Sequence, residues 1–225
     1  MKKIILLSMI ILTLSSCGIT KEDSQVNTVF LINSYKKEFH ELNLANKELT
    51  QVPNFEKYLS GSIIDDVWSI NLQANKITEI DAEKLKFFPN LKELNISYNT
   101  LSTLNLSDVP LDILYAHKNK LTTVNIEKLN TLSTLNLGYN ELKSWNDIKL
   151  PTALVTLELQ HNKLDDLYWI ESLLKLEKLK FEFNNLEDDD MNVLLNLDNI
   201  SNITATYNKL SKKVEDKITE LNTVK

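Results

Sequence analysis

One spacing recurs along this chain and limits what it can become. An apolar residue is followed three, five and ten places on by further apolar residues, with Asn eight places on. The pattern L-x-x-L-x-L-x-x-N-x-L fits Val67, Ile70, Leu72, Asn75 and Ile77, then Leu91, Leu94, Ile96, Asn99 and Leu101. It returns at Leu111–Asn119, Leu132–Asn140, Leu154–Asn162, Leu176–Asn184 and Ile200–Asn208. A weaker copy holds Phe39, Leu42, Leu44 and Leu49, with Lys47 in the Asn slot. Alternation around each L-x-L predicts a short strand with its apolar residues inward. One such unit cannot bury its apolar side alone, so about eight copies must stack to share a core.

Seven near-complete copies between residues 39 and 210 resemble leucine-rich repeats, several of them the repeats of bacterial internalins. The copies at 99–106 and 119–126 add Leu104-Asn105-Leu106 and Val124-Asn125-Ile126, which resemble shorter bacterial repeats extended on both sides. The resemblance implies an α/β leucine-rich repeat solenoid. A parallel sheet lines its concave side, with loops and short helices on the convex side. The repeated Asn (Asn75, Asn99, Asn119, Asn140, Asn162, Asn184, Asn208) is expected to turn inward and satisfy backbone groups where the chain leaves each strand.

The ends differ from the repeats. Residues 26–38 carry Val26, Phe30, Leu31 and Tyr35 at a spacing compatible with a helical face, expected to cap the first copy. Val214, Ile218, Leu221 and Val224 predict an amphipathic capping helix within 211–225.

The start reads as an address. Lys2 and Lys3 precede an apolar run from Ile4 to Leu14, too short for a confident membrane span. Leu14-Ser15-Ser16-Cys17-Gly18 resembles the lipobox of bacterial lipoproteins, and Cys17 is the only cysteine. The resemblance implies removal of residues 1–16 and lipidation of Cys17. Residues 17–25 then form the lipidated Cys and a short polar tether. Gly18, rather than Asp, after the Cys favours an outward-facing or outer-membrane site over the inner membrane.

Composition excludes several classes. All 25 basic residues are Lys, and the net charge is −6. A nucleic-acid partner calls for a basic face and Arg forks, so none is expected. One Cys excludes a multi-cysteine zinc site. His40, His117 and His161 fall on different copies, so no metal site or cofactor is expected. The acidic run Glu187–Asp190 reads as an exposed turn leading into a helix, not a calcium loop. No nucleophile–base pairing stands out, and an enzyme is not expected.

What remains is binding. The residue before each Asn slot gives a column containing Tyr98, Tyr139, His161, Phe183 and Tyr207, with Tyr115 beside it on a strand. Such residues either pack over the neighbouring coil or form a stripe for a protein or peptide partner. The expected function is that of a lipid-anchored, non-catalytic protein-binding module in adhesion or host contact. The alternative is an envelope-internal structural or inhibitory protein that binds another bacterial protein.

Overall fold

The structure, a computed structural model, describes residues 26–106, 108–144 and 150–224. Eight three-residue strands stack in parallel. They are β2 (Glu41–Asn43), β3 (Ser69–Asn71), β4 (Glu93–Asn95), β6 (Ile113–Tyr115), β8 (Thr134–Asn136), β9 (Thr156–Glu158), β10 (Lys178–Lys180) and β11 (Asn202–Thr204). The register is one repeat per strand: Leu42, Ile70, Leu94, Leu114, Leu135, Leu157, Leu179 and Ile203 lie side by side. Each is buried, as are the other apolar template residues from Val67 to Ile200. At roughly 4.8 Å per strand the sheet runs about 35 Å.

The return path varies with repeat length. The two shortest copies return through β5 (Thr103–Asn105) and β7 (Thr123–Asn125), which pair as a second parallel ladder. The copy from Val67 to Leu91 is longer and accommodates helix α4 (Ala82–Leu85). Below it, Phe88 meets Phe55 edge-on at 4.9 Å and Phe87 at 5.6 Å. Phe55 opens the one-turn helix α2 (Phe55–Tyr58), which is followed by α3 (Ser62–Asp66).

The Asn residues after the strands tie neighbouring copies together. Asn162 Nδ2 donates to the Leu137 and Leu159 carbonyls, both at 3.0 Å, and its Oδ1 accepts from the Leu142 N–H at 3.0 Å. Asn75, Asn99, Asn119, Asn140, Asn184 and Asn208 repeat this three-way arrangement. Each amide thus closes backbone groups of its own copy and of the one before it.

The first copy departs from its template. Helix α1 covers only Thr28–Ser34, started by Asn27, whose side chain accepts from the Phe30 N–H at 2.9 Å. The chain then forms β1 (Tyr35–Lys36), antiparallel to β2, and turns through Lys37–Phe39 to His40 in left-handed conformation (φ 49°). This hairpin turns Phe39 out of its template slot, leaving it 65% exposed. The helical spacing read across 26–38 is therefore broken at Tyr35, because pairing with β2 outweighs local helix formation. Tyr35 Oη donates to Asp66, which also faces His40 Nδ1 at 3.0 Å, so the hairpin is tied to the end of α3, where the first copy's return segment closes.

At the far end, helix α5 (Lys212–Val224) packs Val214, Ile218 and Leu221 on the last copy. Asn222 accepts from the Ile203 N–H and donates to the Ile203 carbonyl, both at 2.8 Å. One side chain thereby occupies the open hydrogen-bonding edge of β11. The acidic run begins a 3₁₀ segment, Asp188–Asn196, and Asp190 is not exposed there. It is buried because its carboxylate turns back to accept from the Glu187 N–H at 2.7 Å.

Candidate binding face

Outward strand positions line the concave face. The central column runs Asn43, Asn71, Asn95, Tyr115, Asn136, Glu158, Lys180 and Thr204, all half-buried. Its asparagines do local work: Asn71, Asn95 and Asn136 each accept from the backbone N–H two residues on, at 3.1 Å. They hold the chain as it leaves the strand.

That exit is a left-handed turn. The residue before each Asn slot has positive φ in all eight copies: Asn46, Ala74, Tyr98, Lys118, Tyr139, His161, Phe183 and Tyr207, between 54° and 61°. Non-glycine residues enter this region at a cost. The next copy compensates, since the Tyr98, Tyr139, His161 and Phe183 N–H groups each donate to its backbone at 2.7–3.0 Å. The turn sends the eight side chains to one edge of the sheet in register.

The result is a stack. Tyr139 and His161 lie face to face with centroids 4.1 Å apart, His161 and Phe183 at 4.0 Å, and Phe183 and Tyr207 at 4.1 Å, with interplanar angles of 12–16°. These distances are below the ~4.8 Å strand interval. The rings therefore close up on one another rather than standing at backbone spacing. Tyr98 joins through a cation, with Lys118 Nζ 4.7 Å from the Tyr98 ring and 5.2 Å from Tyr139. Stacked in this way, Tyr98, Tyr139 and Phe183 remain 42–43% exposed and Tyr207 69%. The rings thus pack on one another and still remain open to solvent.

Tyr115 stands beside this column, on a strand, where its place in the repeat puts it. It stands on β6 in the middle of the concave face, where burial and then the charges of Glu93 and Glu158 push its hydroxyl above the ordinary tyrosine range. Reading by residue type passed over Lys118, whose place in the column is visible from its position before Asn119.

Charges divide the face. Glu158 is 13% exposed and reaches Lys178 at 2.8 Å, Lys180 at 3.1 Å and Asn136 Nδ2 at 2.8 Å. Burial acts to raise its carboxyl, but the two lysines outweigh it and hold the group below the usual range. At the other end Glu93 is pushed up by burial and by Glu41. Between them His117 Nδ1 lies 2.9 Å from Ser97 Oγ, and its ring meets Tyr98 edge-on at 5.3 Å.

Burial, then the Lys118 charge, push His117 below the ordinary imidazole range. The unfolded chain therefore holds more protons at this site just below pH ~6.5. Stability from this group is complete above that pH and is lost as pH falls through the depressed folded value. We expect the melting midpoint to drop less between pH 7.5 and 5 in His117→Gln than in the wild type. Parallel curves would remove His117 from the acid response.

Among the described residues no three His, Cys, Asp or Glu side chains converge as a metal site, and no helix is long and apolar enough to cross a membrane. Cys17 lies outside the described residues.

Comparisons with known proteins agree with this geometry. The leucine rich repeat family profile matches residues 67–121. Human lumican is 29% identical over 168 residues, covering 69% of this chain and 46% of lumican. Human leucine-rich repeats and immunoglobulin-like domains protein 3 is 32% identical over 139 residues, 58% of this chain and 12% of that protein. The chain thus spans less than half the length of either relative. Among solved structures, an internalin from Listeria monocytogenes superposes with a TM-score of 0.60 at 19% identity, over 82% of this chain and 59% of that one. YopM from Yersinia enterocolitica gives 0.61 at 21%, over 94% and 44%. The Toll–Spatzle complex of Drosophila gives 0.60 at 21%, over 74% and 25%. The chain is built of leucine-rich repeats and folds as a leucine-rich-repeat solenoid, with internalins among its structural neighbours.

Proposed function

We propose that this protein is a lipid-anchored, non-catalytic module that binds a protein or peptide partner along the concave face and its aromatic edge, in adhesion or host contact. One observation carries the reading: a continuous column of Tyr98, Lys118, Tyr139, His161, Phe183 and Tyr207, held by ring and cation contacts, in which His161 is half-buried and the other five side chains are exposed. Rings already held in place lose little freedom on binding, which favours them as interface anchors. The Toll–Spatzle complex, which shares the fold, supports a protein partner. The absence of Arg and the net charge of −6 argue against nucleic acid. The resemblance of Leu14–Gly18 to a lipobox supports attachment to the cell envelope, and Gly18 after Cys17 favours an outward-facing site.

The test is Tyr139→Ala with Phe183→Ala. Each ring loses stacking of about 0.5–1.5 kcal/mol, so the fold survives. We expect photocross-linking of the displayed chain to partner protein on whole cells to fall by roughly tenfold or more, as for truncated interface anchors. Equal adduct yields from both chains would assign the column to packing alone.

A further inference from the structure

The N-terminal cap keeps an apolar surface that the repeat pattern does not require. Phe39 corresponds in the repeat pattern to Val67, Leu91, Leu111, Leu132, Leu154, Leu176 and Ile200, all fully buried, yet it is 65% exposed at the tip of the β1–β2 hairpin. On α1, Val29 and Ile32 are 53% and 48% exposed, while Leu31 and Ser34 on the same helix are buried. Lys36 and Lys37 are exposed three and two residues before Phe39, with the exposed Glu38 between them and it. Although the chain is acidic overall, residues 26–40 hold two Lys against Glu38 alone.

The tether determines what this surface meets. Residues 18–25 reach at most about 26 Å at roughly 3.3 Å each. They join the fold at Val26, which is buried in the cap. The last strand of the sheet lies about 35 Å further from β2. A chain held by Cys17 therefore presents the cap to the bilayer before any repeat. Three apolar side chains are weak membrane ligands for a free protein. Held within tether reach, they act at a high effective concentration, and aromatic and basic side chains suit the headgroup layer.

We propose that the N-terminal cap docks on the lipid bilayer through Val29, Ile32 and Phe39, with Lys36 and Lys37 at the headgroups. The proposal rests on the lipid-anchor reading of Cys17. Docking would hold the cap at the membrane and direct the aromatic column away from it.

The full lipidated chain provides its own probe site, since acylation of Cys17 leaves no other thiol. Asn33→Cys is a neutral, exposed change next to Ile32, and Lys175→Cys is an exposed reference at the end of the sixth copy. Both are labelled with an environment-sensitive dye and reconstituted in phosphatidylethanolamine–phosphatidylglycerol vesicles carrying brominated acyl chains. We expect bromine quenching at position 33 to exceed that at 175 at least threefold, and Ile32→Ser with Phe39→Ser to abolish the difference. Equal quenching at both sites in chains that float with the vesicles overturns docking and leaves the anchor intact. Shielding at 33 that grows with protein density, without bromine quenching, assigns the surface to a second copy and overturns docking. Chains that carry no acyl group and fail to float overturn the anchor and docking together.

Discussion

Asn162→Ala is expected to lower stability by about 3–5 kcal/mol, more than a surface change in a chain of this kind. The substitution removes one amide but orphans three buried backbone groups, the Leu137 and Leu159 carbonyls and the Leu142 N–H. Each unpaired group costs about 1–3 kcal/mol, and relaxation of the turn keeps the sum below the maximum. The position adds to the effect. Asn162 joins two central copies, and a solenoid depends on contacts between neighbours, so the loss falls on both halves. Asn162→Asp is expected to do no better, because a carboxylate keeps the acceptor for Leu142 and loses both donors. Urea unfolding checks this against Asn43→Ala, where the side chain is half-buried and accepts from the Ala45 N–H at 3.2 Å. If Asn162→Ala unfolds at the same urea concentration as Asn43→Ala, the amides are not what binds the copies together.

The same side chains show why the architecture was readable before any coordinates. A strand of three residues with one buried centre, repeated eight times, writes its register into the sequence. Leu94 beside Leu114 and Leu135 follows from counting alone, because slipping by one residue turns every buried side chain outward. Phe39 was misplaced because the template carries no information about β1, whose pairing with β2 turns the chain. Asp190 was misread as exposed because its partner is the backbone of Glu187, a local hydrogen bond that composition does not report. In the aromatic column, residue types were visible but geometry was not. Positive φ at Tyr98, Tyr139 and Phe183 runs against the preference of each residue taken singly, and it is sustained by hydrogen bonds to the next copy. The bridging role of Lys118 follows from that turn, which sets its ammonium between two rings.

Cys17→Ser is expected to produce the larger functional change, moving the protein from roughly all membrane-bound to roughly all soluble once the leader is absent. A hydroxyl cannot replace the thiolate that the lipobox chemistry alkylates. Without the diacylglycerol, the attachment left to the folded domain is the cap surface at Val29, Ile32 and Phe39. One acyl chain binds bilayers only marginally and two or three hold firmly, each methylene adding about 0.8 kcal/mol, so the response is steep. Removing Lys2 and Lys3 with the leader leaves 23 Lys against 31 acids, and that charge is repelled by anionic headgroups. An uncut leader would confuse the measurement, because its apolar run clings to membranes. Residues 18–225 behind a leader lacking the lipobox therefore serve as the matching chain. Wild type is expected to take up labelled fatty acid and enter the detergent phase, whereas Cys17→Ser takes up none and the leader-matched chain stays in the aqueous phase. Fatty-acid uptake by Cys17→Ser would place the lipid on another residue, and detergent partitioning by the leader-matched chain would move the anchor to the protein surface. The exposed cap would then be the first place to look for it.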